Sequence, residues 1–192
     1  MNTVMPEGHP IRAWPLRQAS RIVWAGGVIA HATEAVYGLA CDPLNRVAIR
    51  RLQLMKRRSP GKGLILIGSE PIQLEDWVDF PTTEIRARVL ATWPGPVSWI
   101  LPAQPGVPSW LTGGSKELAV RVTAHPQARA LCALTGPLVS SSANPAGCQP
   151  ARDPQRVRAY FGDRLDYLLP GRLGGASRPS CIVHALTGRR LR

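Results

Sequence analysis

This sequence has little acid. Its 192 residues include 12 Asp and Glu against 24 Lys and Arg, a formal charge of +12. Charged residues make up only 19% of the chain, so the imbalance is the unusual feature and not the total. A surplus of this sign points to acidic partners: nucleic acid, nucleotides or phosphate-bearing substrates. Most of it is Arg spread along the chain, which argues against a disordered basic arm.

Other absences exclude whole classes of chemistry. Cys41, Cys132, Cys148 and Cys181 stand far apart with no CxxC pair, which leaves a zinc site little support. A chain with 44% hydrophobic residues can bury a core and needs no disulfide framework, so a reducing, cytoplasmic compartment is expected. No apolar run approaches the roughly 20 residues of a membrane-spanning helix. Residues 1–12 hold Pro6, Gly8 and Pro10 and no apolar run, unlike a secretory signal. His9, His31, His125 and His184 show no metal-ligand spacing, although His31 lies close enough to Thr33 to line the same pocket. Gly113-Gly114-Ser115-Lys116 lacks the spacing of a P-loop, and no G-x-G-x-x-G follows a strand. Neither a Ser/His/Asp set nor a Cys/His set nor paired carboxylates stand out. The shortage of general bases points to a reaction run by positioning and charge stabilisation, as in nucleotidyl transfer.

What is present is an interleaving of short apolar strands and amphipathic helices. Helices are expected over residues 14–25, from Asn45 as N-cap with Ala48, Leu52 and Met55 inward, from Thr82 or Thr83 to Trp93, from His125-Pro126, and from Asp153-Pro154 through Phe161. Strands are expected at residues 28–32, 64–67, 97–101, 118–122, 138–140, 165–169 and 181–184, with a Pro/Gly-rich ordered loop over 102–114. This pattern predicts a single α/β domain over residues 1–192, with a mixed sheet and flanking helices. The six tryptophans do not interleave with Lys or Arg and read as packing.

Four stretches carry candidate chemistry. Residues 138–147 begin as a strand and become Ser140-Ser141-Ser142, then Asn144, Pro145 and Gly147, a hydrogen-bonding cluster at a strand end where α/β folds bind ligands. Two residues apart in an extended segment, Ser142 and Asn144 are expected to face one way. Lys56 and Arg58 close the second helix beside Gly61 and Gly63. They either complement the helix C-terminus or clamp phosphate, and the glycines favour the clamp, provided the helix stops near Lys56. Thr33 follows a strand, and Tyr37 is either a core tyrosine or a face for a ligand. Arg121 interrupts the apolar run 118–122, so an acidic side chain or an anionic ligand must meet it. The scarcity of acid favours the ligand.

These stretches resemble the YrdC-like family, the L-threonylcarbamoyladenylate synthases, and most closely its short bacterial single-domain form. Residues 31–39 resemble the family's P-T-[DE]-[TA]-x-[YF]-G-[LV], and Lys56-Arg57-Arg58 its K-x-R. Trp93 to Ser98 resembles W-P-G-P-[VL]-T, Ala119 to Val122 V-A-[VI]-R-[VI], Val139 to Asn144 V-S-[ST]-S-A-N, and Pro179 to Ile182 P-S-[TE]-[IV]. Ala32, Ser98, Ser141 and Cys181 depart from the usual residues. The resemblance implies a twisted mixed sheet with a large basic cleft. It implies synthesis of threonylcarbamoyl-AMP and pyrophosphate from L-threonine, bicarbonate and ATP with Mg²⁺ and no dedicated protein metal ligands, in service of tRNA modification beside the anticodon through partner proteins. By the same resemblance Lys56, Arg58, Ser140, Ser142 and Asn144 hold the ATP phosphates, while Thr33, Tyr37, Arg121 and Ser180 bind threonine or the intermediate. The charge keeps open an RNA-binding module without catalysis. A carbamoyl-adenylate enzyme acting on another acceptor ranks last.

Overall fold

The computed structural model describes residues 13–191; residues 1–12, and with them the reading of that segment as no secretory signal, lie outside the described residues. In chain order the elements are α1 (Ala13–Trp24), β1 (Ile29–Ala32), β2 (Tyr37–Cys41), α2 (Arg46–Lys56), β3 (Ile65–Gly68), α3 (Ile72–Glu75), α4 (Thr83–Leu90), β4 (Val97–Pro102), α5 (Ser109–Thr112), β5 (Glu117–Val122), α6 (Pro126–Thr135), β6 (Leu138–Ser142), α7 (Pro154–Phe161), β7 (Tyr167–Leu168) and β8 (Cys181–His184). The strands form one eight-stranded sheet in the order β7-β1-β2-β6-β3-β5-β4-β8. Three neighbouring pairs are parallel (β1 with β7, β3 with β5, β4 with β8) and the rest antiparallel. The expected α/β class with a mixed sheet and flanking helices is therefore present. No helix among the described residues is long and apolar enough to cross a membrane.

Local chemistry sets the boundaries. The side chains of Asn45, Thr82, His125 and Asp153 each accept from a backbone N–H in the first turn of the helix that follows, satisfying groups that a helix start leaves unpaired. Pro126 and Pro154 occupy first-turn positions where the missing N–H costs nothing. Several elements differ from expectation: the short α3 is additional, α5 lies within the expected loop over 102–114, and α4 ends at Leu90 and not at Trp93. Residues 37–41 form a full strand, although Gly38 reads as a turn residue. A Cβ on Gly38 would lie 3.0 Å from Ser140 Oγ, so the glycine serves close approach between β2 and β6. Pairing of Gly38, Leu39 and Ala40 with Ser142, Ser141 and Ser140 then carries β6 past the serine run. At the other end, residues 165–169 shrink to the two-residue β7 on the sheet edge.

Period-2 alternation sorts the core into two layers. Ile29, Ala40, Ile67 and Leu138 face α1 and α6, meeting Leu16, Val23 and Leu131. Their neighbours Ala30, Leu39, Leu66, Val120, Val122 and Val139 face the opposite way, against α2, α4 and α7. Each fully buried Leu or Ile contributes roughly 1.5–3 kcal/mol by leaving water. Helices α1 and α6 pack on each other and on the β7, β1 and β3 side of the sheet. The serine half of β6, β5, β4 and β8 on that same face is left for other use.

Candidate active site

On that face the alternation that buries Val120 and Val122 turns Arg121 the other way, beside Ile67 in the β3–β5 register. Ser140 and Ser142 share the side of Leu138, and Ser98 alternates with the inward Trp99. Polar positions thus converge over the open part of the sheet and line a cavity of about 460 Å³. Its walls come from the β1–β2 turn (Thr33 to Gly38), the segment after α2 (Arg58, Gly61, Gly63), the serine run of β6 and strand β5. Further walls are residues 111–113 with Ser115, and residues 178–180. Residues 178–180 belong to the segment joining β7 to β8, which are opposite edges of the sheet. Seven strand spacings amount to about 33 Å, within the roughly 40–43 Å that twelve residues can reach. Gly174 N and Ala176 N donate to the carbonyls of Thr33 and Glu34 (3.1 and 2.9 Å), and His125 Nε2 donates to Arg172 O at 2.9 Å.

Of the residues expected at a site, Thr33, Tyr37, Arg58, Arg121, Ser140, Ser142 and Ser180 line the cavity. Thr33 Oγ1 donates to Val36 O at 2.7 Å, and Tyr37 donates to Gly171 O at 2.5 Å, which fixes the ring as a wall with its hydroxyl engaged. Ser180 Oγ lies 3.2 Å from Ser98 Oγ. Arg58 Nη2 donates to Gly63 O at 2.5 Å.

Three residues differ from expectation. Arg121 meets an acidic side chain: its Nη1 donates to Glu34 Oε2 at 2.9 Å. A low acid count does not decide this, because one well-placed carboxylate is sufficient. Asn144 turns away from Ser142. Strand β6 ends at Ser142, and the amide donates to Pro145 O (3.0 Å) and Cys148 O (2.8 Å), closing its own loop. Ser140 and Ser142 are the pair that face one way. Lys56 ends α2 as anticipated, with Arg57 in the left-handed region (φ 50), but its ammonium engages protein carbonyls. Lys56 is buried, and its ammonium donates to the carbonyls of Ser142 and of Asn144 (2.9 Å for the latter). Burial, aided by the neighbouring charge of Arg58, lowers its pKa to about 8.

The surroundings set the other charges. His31 lies fully buried behind Ser140, outside the cavity lining, and burial with the nearby His125 lowers its pKa to about 4. Its Nδ1 bonds the Ala32 carbonyl, so Nδ1 carries the proton and Nε2 accepts from Ser140. Burial pushes Glu34 upward, but Arg121 and the Thr123 hydroxyl outweigh it and hold the carboxyl below 4.5. Arg178 and Glu117 also line the cavity. Arg178 directly precedes the Pro179-Ser180 motif, which was the available signal. Glu117 alternates with Leu118 at the start of β5 and pairs with His184 at 2.8 Å. The cavity therefore presents three arginines against two glutamates. The tryptophan reading also changes: Trp14 and Trp24 are 72% and 61% exposed, flanking Arg17 and Arg21 on one face of α1. No cluster of three or more His, Cys, Asp or Glu suited to a metal is present among the described residues.

Residues 21–192 match the model of the Sua5, YciO and YrdC proteins, whose description reads "Telomere recombination". The chain belongs to this family. Within it, the threonylcarbamoyl-AMP synthase of Methylococcus capsulatus is 50% identical over 183 residues, covering 95% of this chain and 98% of its own length. The threonylcarbamoyl-AMP synthase of Halorhodospira halophila is 48% identical over 193 residues, with both chains covered in full. Among solved structures, P. abyssi Sua5 complexed with L-threonine superposes with a TM-score of 0.84 at 29% identity, over 92% of this chain and 52% of the longer Sua5 chain.

Proposed function

We propose that this chain is a nucleotidyltransferase that makes threonylcarbamoyl-AMP and pyrophosphate from L-threonine, bicarbonate and ATP, acting as one domain. The observation that carries the reading is a cavity with serine hydroxyls and Arg58 on one side and the buried Arg121 on the other, in a chain half identical over its length to proteins named for this product. About 460 Å³ lies within the range of small-ligand sites, roughly 300–1,000 Å³.

The chemistry divides the cavity into two ends. Threonine's amine and bicarbonate give an N-carboxylate and water. An oxygen of that carboxylate attacks the α-phosphorus, and the bond from that phosphorus to the bridging oxygen of pyrophosphate breaks. Arg58 meets the phosphate end, where charge accumulates on the leaving group, and the hydroxyls of Ser140 and Ser142 donate to phosphate oxygens. Lys56 acts through the loop: by holding the carbonyls of Ser142 and Asn144 it fixes where those hydroxyls sit. Asn144 does the same from within the loop. At the other end Arg121 binds the amino-acid carboxylate, with Thr33 and Ser180 beside it and Tyr37 closing the wall. Mg²⁺ bound with the nucleotide would supply neutralisation of the triphosphate charge. The hydroxyls of Ser140 and Ser142 are the side-chain oxygens of β6 that would lie beside it.

The product then passes in the cytoplasm to separate proteins that transfer the threonylcarbamoyl group to tRNA, and the +12 charge suits contact with RNA or with acidic partners. Pyrophosphate release tests the reading. It is expected only when threonine and bicarbonate are both present; release indifferent to threonine contradicts it.

A further inference from the structure

We propose that Glu34 is a positioning residue for the substrate carboxylate and acts through Arg121. The inference rests on the reading of Arg121 as the cation that binds threonine. Arg121 is 6% exposed and lines the cavity. Glu34 engages Nη1 at 2.9 Å, while Nε is buried and has no hydrogen-bond partner among the described residues. The guanidinium is therefore held at the cavity wall chiefly by the Glu34 carboxylate.

Glu34 is itself fixed. Its Oε1 accepts from the Thr123 hydroxyl (2.8 Å) and from the Ala124 N–H (3.0 Å), so β5 and the residues after it hold the carboxylate that holds Arg121. Its backbone carbonyl accepts from Ala176 N at 2.9 Å. One residue thereby ties together the β1–β2 turn, strand β5 and the crossing segment, three walls of one cavity.

Two effects of opposite sign follow from a carboxylate in this place. As a charge, Glu34 repels an incoming carboxylate, and with its side chain only 13% exposed that repulsion is weakly screened. As a clamp, it holds the guanidinium in one orientation at the cavity wall. If the field dominated, neutralising Glu34 would tighten threonine binding. The geometry favours the clamp, because the carboxylate is itself held by donors from β5 and the turn after it, and the guanidinium is buried.

The test is the KM for threonine and for ATP in threonylcarbamoyl-AMP formation, for the wild-type chain, Glu34→Gln, Arg121→Lys and the double variant, with thermal melting to confirm folding. Displacing an orienting group by about 1 Å can cost up to about a hundredfold, and Glu34→Gln is expected to raise the threonine KM about tenfold or more while the ATP KM stays within about twofold. On the Arg121→Lys background the same change is expected to add less than about twofold, since the route through the guanidinium is gone. An unchanged or lowered threonine KM in Glu34→Gln overturns the inference, as does an equal rise in both KM values or a full effect on the Arg121→Lys background. If Arg121→Lys does not fold, Glu34→Asp replaces it: the charge remains but the reach shortens, and a threonine KM equal to wild type would contradict the clamp. A wild-type chain with no threonine-dependent product overturns the proposed function, and this inference with it; an active wild type with an unaltered Glu34→Gln overturns this inference alone.

Discussion

The ammonium of Lys56 donates to the carbonyl oxygen of Asn144 at 2.9 Å, so the last residue of α2 holds the loop that follows β6. A lysine expected to face phosphate is spent on two carbonyls, and the phosphate wall is shaped from behind. Lys56→Met therefore removes a support. A buried acceptor left unpaired costs about 1–3 kcal/mol, and in a chain of this size each kcal/mol lowers Tm by roughly 2–4 °C. Lys56→Met is expected to melt about 2–12 °C lower and to lose most activity. Calorimetry beside the activity assay checks both, and an unaltered Tm would contradict the supporting role.

Ser142 and Asn144 separate by the same logic. Ser142 lines the cavity, whereas the Asn144 amide bridges Pro145 and Cys148 within the loop. Ser142→Ala is expected to raise the ATP KM with little change in Tm. Asn144→Ala is expected to lower Tm as well, by the loss of two hydrogen bonds of about 1 kcal/mol each. Matching Tm values for the two variants would show that the loop does not depend on the amide.

Arg57 and Arg58 test the turn that ends α2. Arg57 adopts φ 50 and ψ 41, a conformation costing a side-chain-bearing residue roughly 1–2 kcal/mol and glycine nothing. Arg57→Gly should therefore leave stability near wild type, while the β-branched Arg57→Val lowers it by about 1–2 kcal/mol in denaturant unfolding. Arg58→Ala should fold normally and raise the ATP KM about 10- to 100-fold, the value of one charge-assisted hydrogen bond at ~1.5–3 kcal/mol. A threonine KM that rises instead would place Arg58 at the wrong end of the cavity.

Acid should destabilise the protein in two stages. Burial lowers His31 from 6.5 to about 4, so the folded state binds fewer protons than the unfolded chain. The stability from keeping His31 neutral is full above 6.5 and is lost as pH falls toward 4. Glu34, held below 4.5 against its own burial by Arg121 and Thr123, contributes stability that is present above 4.5 and lost as pH falls through its lower folded value. Denaturant unfolding across pH should show the His31→Gln variant flatter between 6.5 and 4, and Glu34→Gln less stable at pH 7 but flatter below 4.5. An acid limb unaltered by either change contradicts the assignment.

Much of the architecture was legible because its causes are local. Caps at Asn45, Thr82, His125 and Asp153, and apolar runs at 64–67 and 181–184, are short-range patterns, and the elements fall close to where those patterns put them. Strand β2 was not legible, because Gly38 disfavours a strand and is tolerated only through close packing against Ser140. The cavity residues were legible as types, since an Arg in an apolar strand and serines at a strand end are unusual anywhere. Their pairings were not. Glu34 and Arg121 are 87 positions apart, and Lys56 and Asn144 are 88 apart. Only the strand order brings them together. Period-2 reasoning carried past the end of β6 misplaced Asn144, since the alternation stops where the strand stops.

The measurement that bears most directly on the central claim is mass-spectrometric detection of threonylcarbamoyl-AMP after incubating the chain with ATP, Mg²⁺, L-threonine and bicarbonate. The account predicts the product in the complete mixture, none when threonine or bicarbonate is withheld, and a large drop with Arg121→Lys at limiting threonine. A complete mixture that yields no threonylcarbamoyl-AMP from folded protein, or AMP and pyrophosphate formed equally without threonine, would contradict it.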